Sequence, residues 1–384
     1  MDRVAATRVR VYERRGDPSR GFRAAASLHC HTHFSKELLT FIPHYAAMIP
    51  LVSQLFKSEM DRYLTIHGKT IDFAQAWWTP PASPRQVLET ETIQIEKEFG
   101  LPALVSITDH DDIESGLILQ VMDSYRRIPI SVEWTVPYQR GFFHVGVHNL
   151  PRDRAEEIAS EMMKYAGQQP DALELRDLFA MLNQSPETLI VLNHPMWDIE
   201  FIGADEHADC LKAFLGEHAR SIHALELNGF RPWKENSLVM RLAEDLGLPA
   251  VAGGDRHGLH PNTLINLTRA ESFDEYVAEA RDDGHSEILL MPEYSQSRVA
   301  RTIEVAADTL RDYPNNSLGR PKWTDRVFID VGAGLGSEPL SRYWKRGGPT
   351  WVRAALWLLR VLGNHRMKPA LRMALANERI SCEI

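Results

Sequence analysis

From residue 24 to about residue 291, short apolar runs alternate with amphipathic stretches, and most of the runs end on a histidine or a carboxylate. That alternation limits the fold more than any other feature of the chain. Residues 24–31 read as a buried strand, and further strand-like runs fall at 103–108, 128–134, 142–148, 188–192, 222–227, 248–252, 264–267 and 287–291. Helical spacing marks 43–67, where Val52, Leu55, Phe56, Met60, Tyr63 and Leu64 recur, and also 152–165, 171–182, 233–246 and 296–311. Ser83, Pro84 and Gln86 form a capping box at the start of another helix, which Gly100 ends. Strands alternating with helices predict an α/β fold around a parallel sheet or barrel.

The polar residues repeat with position. His29 and His31 close the first strand, and side chains two apart on a strand share a face. His110 follows the second run, Glu133 ends the third, and His144 sits in the fourth. His194 follows the fifth, and Asp255 and His257 follow the run at 248–252. In a parallel α/β barrel the C-terminal ends of the strands converge on one rim, where the chemistry is kept. Imidazoles mixed with carboxylates suit Mn, Zn or Fe, and a cluster this rich holds two or three divalent ions.

Several function classes are disfavoured. A formal net charge of -9 argues against non-specific nucleic-acid binding by the whole surface. The charged start of the chain has no apolar core of a secretory signal, and no run approaches the ~20 apolar residues of a membrane span. Cys30, Cys210 and Cys382 are too few and too scattered for a disulfide framework and fit a reducing compartment. The expected location is cytoplasmic.

The motifs, in this order, resemble the PHP family, the polymerase and histidinol phosphatase superfamily. They are Leu28-His29-Cys30-His31-Thr32, Ile107-Thr108-Asp109-His110-Asp111, Val132-Glu133, His144-Val145-Gly146, Asn193-His194-Pro195 and Gly254-Asp255-Arg256-His257. The resemblance covers residues 24–291 without the stretch 38–100. It implies a distorted (β/α)7 barrel of the PHP type with a helical insertion and a C-terminal helical extension. The expected division is an N-terminal extension (1–23), a catalytic barrel (24–312) with 38–100 as an insertion or lid, and a basic extension (313–384). His29, His31, Glu133 and Asp255 would hold one ion, Glu133, His144 and His194 a second, and His110 and His257 a third. Family members usually carry an Asp shortly after the His-x-His. Here Ser35-Lys36-Glu37 stands instead; a charged Lys36 cannot ligate, which makes Glu37 the expected ninth ligand, with His33 the alternative.

The resemblance implies a metal-dependent phosphoesterase in which an activated hydroxide attacks phosphorus, with Asp255 and His257 in catalytic roles. The substrate would be a small phosphorylated metabolite or nucleotide. Arg231 and Arg256 are the expected phosphate contacts. A nuclease acting on oligonucleotides and a non-catalytic regulatory module stay open as alternatives. Amidohydrolases share the His-x-His opening but usually add a strand-end lysine, which these motifs lack. His148 shares a strand face with His144 and reads as structural. Trp77-Trp78 either stacks on substrate or packs the insertion to the barrel. The glycines at 332–336 read as a turn. The tail 338–384 holds nine Lys or Arg against three acids, with an apolar stretch at 351–362 suited to a partner subunit or a membrane surface.

Overall fold

The computed structural model describes residues 6–13, 16–68, 70–330, 336–364, 366–377 and 380. In chain order the strands are β1 (Ala6–Val11), β2 (Ala24–Cys30), β3 (Glu37–Leu38), β4 (Trp77–Trp78), β5 (Ala103–Val105), β6 (Val132–Tyr138) and β7 (Gly141–His148). They continue with β8 (Leu189–Leu192), β9 (Ala224–Asn228), β10 (Ala250–Arg256), β11 (Leu264–Thr268), β12 (His285–Leu290), β13 (Val327–Asp330) and β14 (Ser337–Pro339). The large sheet runs β1-β12-β11-β2-β10-β9-β8-β7-β6, with β5 on the other side of β2. The fold is mixed α/β around this parallel-rich sheet.

The sheet is not parallel throughout. β6 and β7 pair antiparallel from Val132–Val147 to Tyr138–Gly141, because only Gln139 and Arg140 join them. Two residues suffice for a hairpin, whereas a parallel crossover needs a dozen or more. β7–β8, β11–β12 and β11–β2 are antiparallel too. β1 supplies an edge strand, parallel to β12, from the N-terminal stretch that the sequence left without an element.

Beyond β5 the chain stays hydrogen-bonded on both sides. Thr108 N donates to Cys30 O, and Glu133 N donates to Asp109 O. His110 and Glu133 form an isolated parallel bridge.

β2 is buried along its whole length. Its small residues Ala24, Ala25 and Ala26 leave room for layers on both faces. The helix Pro84–Phe99 covers one side through Val87, Leu88, Ile95 and Phe99. It starts on the expected capping box and stops at Gly100 with φ 64°. The helices Ala155–Ala166, Ala172–Asn183, Ala204–His218 and Trp233–Leu246 cover the strands from β6 to β10. Trp134, fully buried, anchors that core and donates its indole N–H to Met162 O at 2.8 Å.

The stretch 43–67, read as one helix, is two: Phe41–Met48 and Pro50–His67. Pro50 sits at the first turn of the second, where its missing N–H costs nothing, and Ile49 before it is extended. Trp77-Trp78, read as a break, is β4. A second sheet runs β14-β13-β4-β3. Glu37 and Leu38 pair with Trp78 and Trp77, which pair in turn with Val327 and Phe328. Residues from beyond 312 therefore brace the strand that carries Glu37. The helix Thr350–Leu362 lies against the helix Arg298–Thr309 and leaves Trp357 and Leu358 exposed. Among the described residues no helix is long and apolar enough to cross a membrane. Residues 331–335, most of the expected glycine turn, lie outside the described residues.

Candidate metal centre

The nine expected ligands meet at one place. Their donor atoms form four overlapping groups: His31, Glu37, His110 and His257; His29, Glu133 and His194; His29, His31 and Asp255; and His110, Glu133 and His144. Within each group the atoms lie within 4.8 Å of one another. The grouping departs from the expected one in a detail. His194 falls with His29, and His144 falls with His110.

Strand geometry aims these side chains. His29 (φ 62°), His194 (φ 29°) and Asp255 (φ 49°) adopt positive φ, which non-glycine residues rarely do. Such strain collects at functional sites, where surrounding structure over-determines it. At Asp255 it accompanies a register shift between Gly253 and Arg256 in the β10–β2 pairing.

Glu133 is the hub. Its Oε2 lies 2.9 Å from His29 Nε2, 3.3 Å from His31 Nε2 and 3.3 Å from His110 Nδ1. Its Oε1 lies 3.3 Å from His144 Nδ1 and 3.2 Å from His194 Nε2. Asp255 Oδ1 stands 3.6 Å from His31 Nε2 and 3.8 Å from His29 Nε2. Glu37 Oε2 is 3.1 Å from His257 Nε2 and 3.3 Å from His110 Nε2.

These residues fit divalent ions on their own chemistry. His31 Nε2 is buried and has no hydrogen-bond partner among the described residues. Such an orphan is costly unless something binds it. His31 also stacks between the rings of His257 (4.3 Å) and His110 (4.8 Å).

The electrostatics are those of a crowded, water-poor site. Burial opposes ionisation of Glu133 and Glu37, yet the surrounding histidines hold both carboxyls well below the usual range. Asp255 is lowered in the same way, against burial, chiefly by His31 and His29. Burial lowers His31 and His144 to about 4, so both offer neutral nitrogens. His110 goes the other way: against burial, Glu37 and Glu133 raise it to about 10.

Supporting residues complete the site. Asp109 accepts from Thr32 Oγ1 (2.8 Å) and from Ser115 Oγ, tying the loop after β2 to the segment that carries His110. Burial pushes its carboxyl up to about 7. Asp111 Oδ1 accepts from Thr135 N at 2.8 Å. Ser35 Oγ donates to Glu37 Oε1 at 2.6 Å. Asn193 Nδ2 donates to Glu133 Oε1 at 3.0 Å. Glu226 Oε1 lies 2.5 Å from His29 Nδ1.

Sequence reasoning assigned no role to Glu226, Asn193 or Ser35. Glu226 did leave a trace, as an acid inside the apolar run Ala224-Leu225-Glu226-Leu227.

The two arginines are engaged elsewhere. Arg231 pairs with both carboxylate oxygens of Glu235, at 2.6 and 2.8 Å. It lies over the Trp197 ring (4.5 Å), which packs against His194 (5.2 Å). Arg256 meets Glu91 and the His260 carbonyl in a buried pocket. The two guanidinium groups expected to contact phosphate thus have acidic partners here, Glu235 for Arg231 and Glu91 for Arg256. His148 lies 2.8 Å from Ser106 Oγ and belongs to none of the four donor groups. The tryptophans divide the two readings of their pair. Trp77 stacks on Phe328 at 4.0 Å, whereas Trp78 lies 5.8 Å from the His257 ring.

No protein-family model matches the chain, and no curated protein does. Solved structures do match. One, from Bifidobacterium adolescentis, bears the name "putative metal-dependent phosphoesterase". It is 13% identical, and the match covers 67% of this chain and 96% of that one, at a TM-score of 0.35. A likeness that distant assigns no function.

Proposed function

We propose that this protein is a metal-dependent phosphoesterase acting on a small phosphorylated metabolite or nucleotide at a di- or trinuclear centre. The observation that carries the reading is Glu133, one buried carboxylate whose two oxygens face five imidazoles within 3.3 Å. A carboxylate so placed suits a bridge between cations. Divalent ions held there neutralise phosphoryl oxygens, lower the pKa of a water and stabilise a leaving alkoxide.

His29, His31, Glu133 and Asp255 form the deep part of the centre. Asp255, ionised, would accept a hydrogen bond from the attacking water and so orient it. Glu37, His110 and His257 form the outer part, and His257 is the most open of the histidines there, at 19% side-chain exposure. His257 therefore faces the leaving group. The cations would take up the phosphate, since Arg231 and Arg256 already pair with Glu235 and Glu91.

The fold proposed with this activity is a distorted (β/α)7 barrel over residues 24–312. Its support is the pair of hydrogen bonds Thr108 N–Cys30 O and Glu133 N–Asp109 O, which link β2 to β6 through the segment that follows β5. We place the reaction in the cytoplasm, in keeping with the buried free thiols of Cys30 and Cys210.

A phosphate-release screen tests the activity, using sugar phosphates, nucleotides and short oligonucleotides with Mn, Zn or Fe supplied. The expected result is release from a small monoester that chelation abolishes and that His29→Ala with His31→Ala removes. Cleavage of oligonucleotides alone would make the protein a nuclease. Silence from every ester with metal bound would make it a regulatory module.

A further inference from the structure

Glu226 sits in the middle of β9, buried, on the strand paired with β10, which carries the candidate ligand Asp255. Its two oxygens do different work. Oε1 lies 2.5 Å from His29 Nδ1. Oε2 accepts the backbone N–H of His194 at 2.8 Å and the Asn228 amide at 3.0 Å. The same Asn228 amide nitrogen lies 3.2 Å from Asp255 Oδ2. One carboxylate therefore touches two ligands from two strands and reaches a third through Asn228. Space is kept for it: a Cβ on Gly253 of β10 would lie 1.7 Å from Glu226 Oε1. This accounts for a glycine at a strand position with no turn to make.

We propose that Glu226 is a positioning residue that sets the tautomer of His29 and holds His194 in its strained backbone conformation, so that both present Nε2 to the metal centre. An imidazole has two nitrogens, and a carboxylate on Nδ1 requires the proton there. Nε2 is then the nitrogen turned toward Glu133 (2.9 Å) and Asp255 (3.8 Å), the side on which an ion would be held. His194 needs separate restraint, because its φ of 29° is unfavourable for a side-chain-bearing residue. Its N–H, donated to Glu226, supplies that restraint. Outer carboxylates of this kind change metal affinity by about 10- to 100-fold when removed.

The inference rests on the metal-centre reading, and the experiment separates the two. Metal affinity is measured by chelator competition with Zn or Mn alone, for the wild type, Glu226→Gln and Gly253→Ala. The tautomer of His29 is read in the Zn-loaded protein from the 15N shifts of its ring. A glutamine keeps the size of Glu226 but cannot accept on both arms. Glu226→Gln should bind metal about 10- to 100-fold more weakly, with loss of the Nδ1–H signature and a melting temperature close to that of the metal-free wild type. Gly253→Ala displaces the carboxylate without removing it and should weaken binding in the same direction. Wild-type affinity and an unchanged Nδ1–H tautomer in Glu226→Gln would overturn the positioning role. Failure of the wild type itself to bind metal would overturn the centre instead.

Discussion

Glu91 lies fully buried on the helix Pro84–Phe99, facing Arg256, and accepts from Ser27 Oγ at 2.8 Å. Arg256 follows the candidate ligand Asp255, so this pair fastens the helix to the strand that carries Asp255. Breaking one side of a buried ion pair typically costs about 3–5 kcal/mol, because a charge is left uncompensated. Glu91→Ala should lose stability of that order in urea unfolding. A loss below about 1 kcal/mol would mean that Arg256 is solvated and the pair is decorative. His223 supplies a second residue-scale test. Its Nδ1 accepts from Ile190 N at 3.0 Å, and its other nitrogen lies 2.8 Å from Asn183 Oδ1. Burial, helped by Arg281, lowers it to about 3, so the folded protein holds it neutral. An unfolded histidine titrates near 6.5. Its contribution is complete above about pH 6.5 and is lost as pH falls toward 3, by up to about 1.4 kcal/mol per pH unit. Unfolding followed between pH 4 and 6.5 should show a shallower slope in His223→Gln than in the wild type. Equal slopes would contradict the buried neutral ring.

At the scale of elements, the small sheet decides the outer half of the centre. Glu37 is on β3, which pairs only with β4 in that sheet, and β4 is backed by β13. Phe328 on β13 stacks on Trp77 and carries Arg320 over its other side at 4.7 Å. Phe328→Ala should loosen β3 and cost the ion nearest Glu37, so that elemental analysis reports about one ion fewer per chain with the deep ligands still loaded. The same change in Glu37→Ala would confirm the route, and unchanged metal content in both variants would break it. The nine candidate ligands could be picked from the sequence because their chemistry stands out at strand ends, and the structure brings them together. Glu37 could be picked over Lys36 because a charged lysine cannot ligate. The partner of β3 could not be read that way. Trp77-Trp78 has no alternation to mark a strand, and its pairing with Val327 and Phe328 spans about 250 residues. The β6–β7 hairpin was hidden for a similar reason, because Gln139 takes a φ of 52° without the Asn-Gly or Asp-Gly signal of such turns. Glu226 escaped notice because an acid within an apolar strand looks like an interruption until its partner is known.

At the scale of the whole molecule, the nine candidate ligands span residues 29 to 257 and come from strands on both sides of β2. The proposed metal centre would join parts of the chain that are remote in sequence, so its occupancy should be felt as global stability. Each ion bound only by the folded state adds about 2.7 kcal/mol at a hundredfold excess over its Kd. Chelation should accordingly lower the melting temperature by several degrees, and an unchanged transition would mean that the cluster is not a metal site. The most direct test is elemental analysis of the purified chain, wild type beside Glu133→Gln. Two or three divalent ions per chain in the wild type, and a marked loss in Glu133→Gln, are the predicted result. A wild-type chain that takes up no divalent ion when Mn, Zn or Fe is supplied would contradict it.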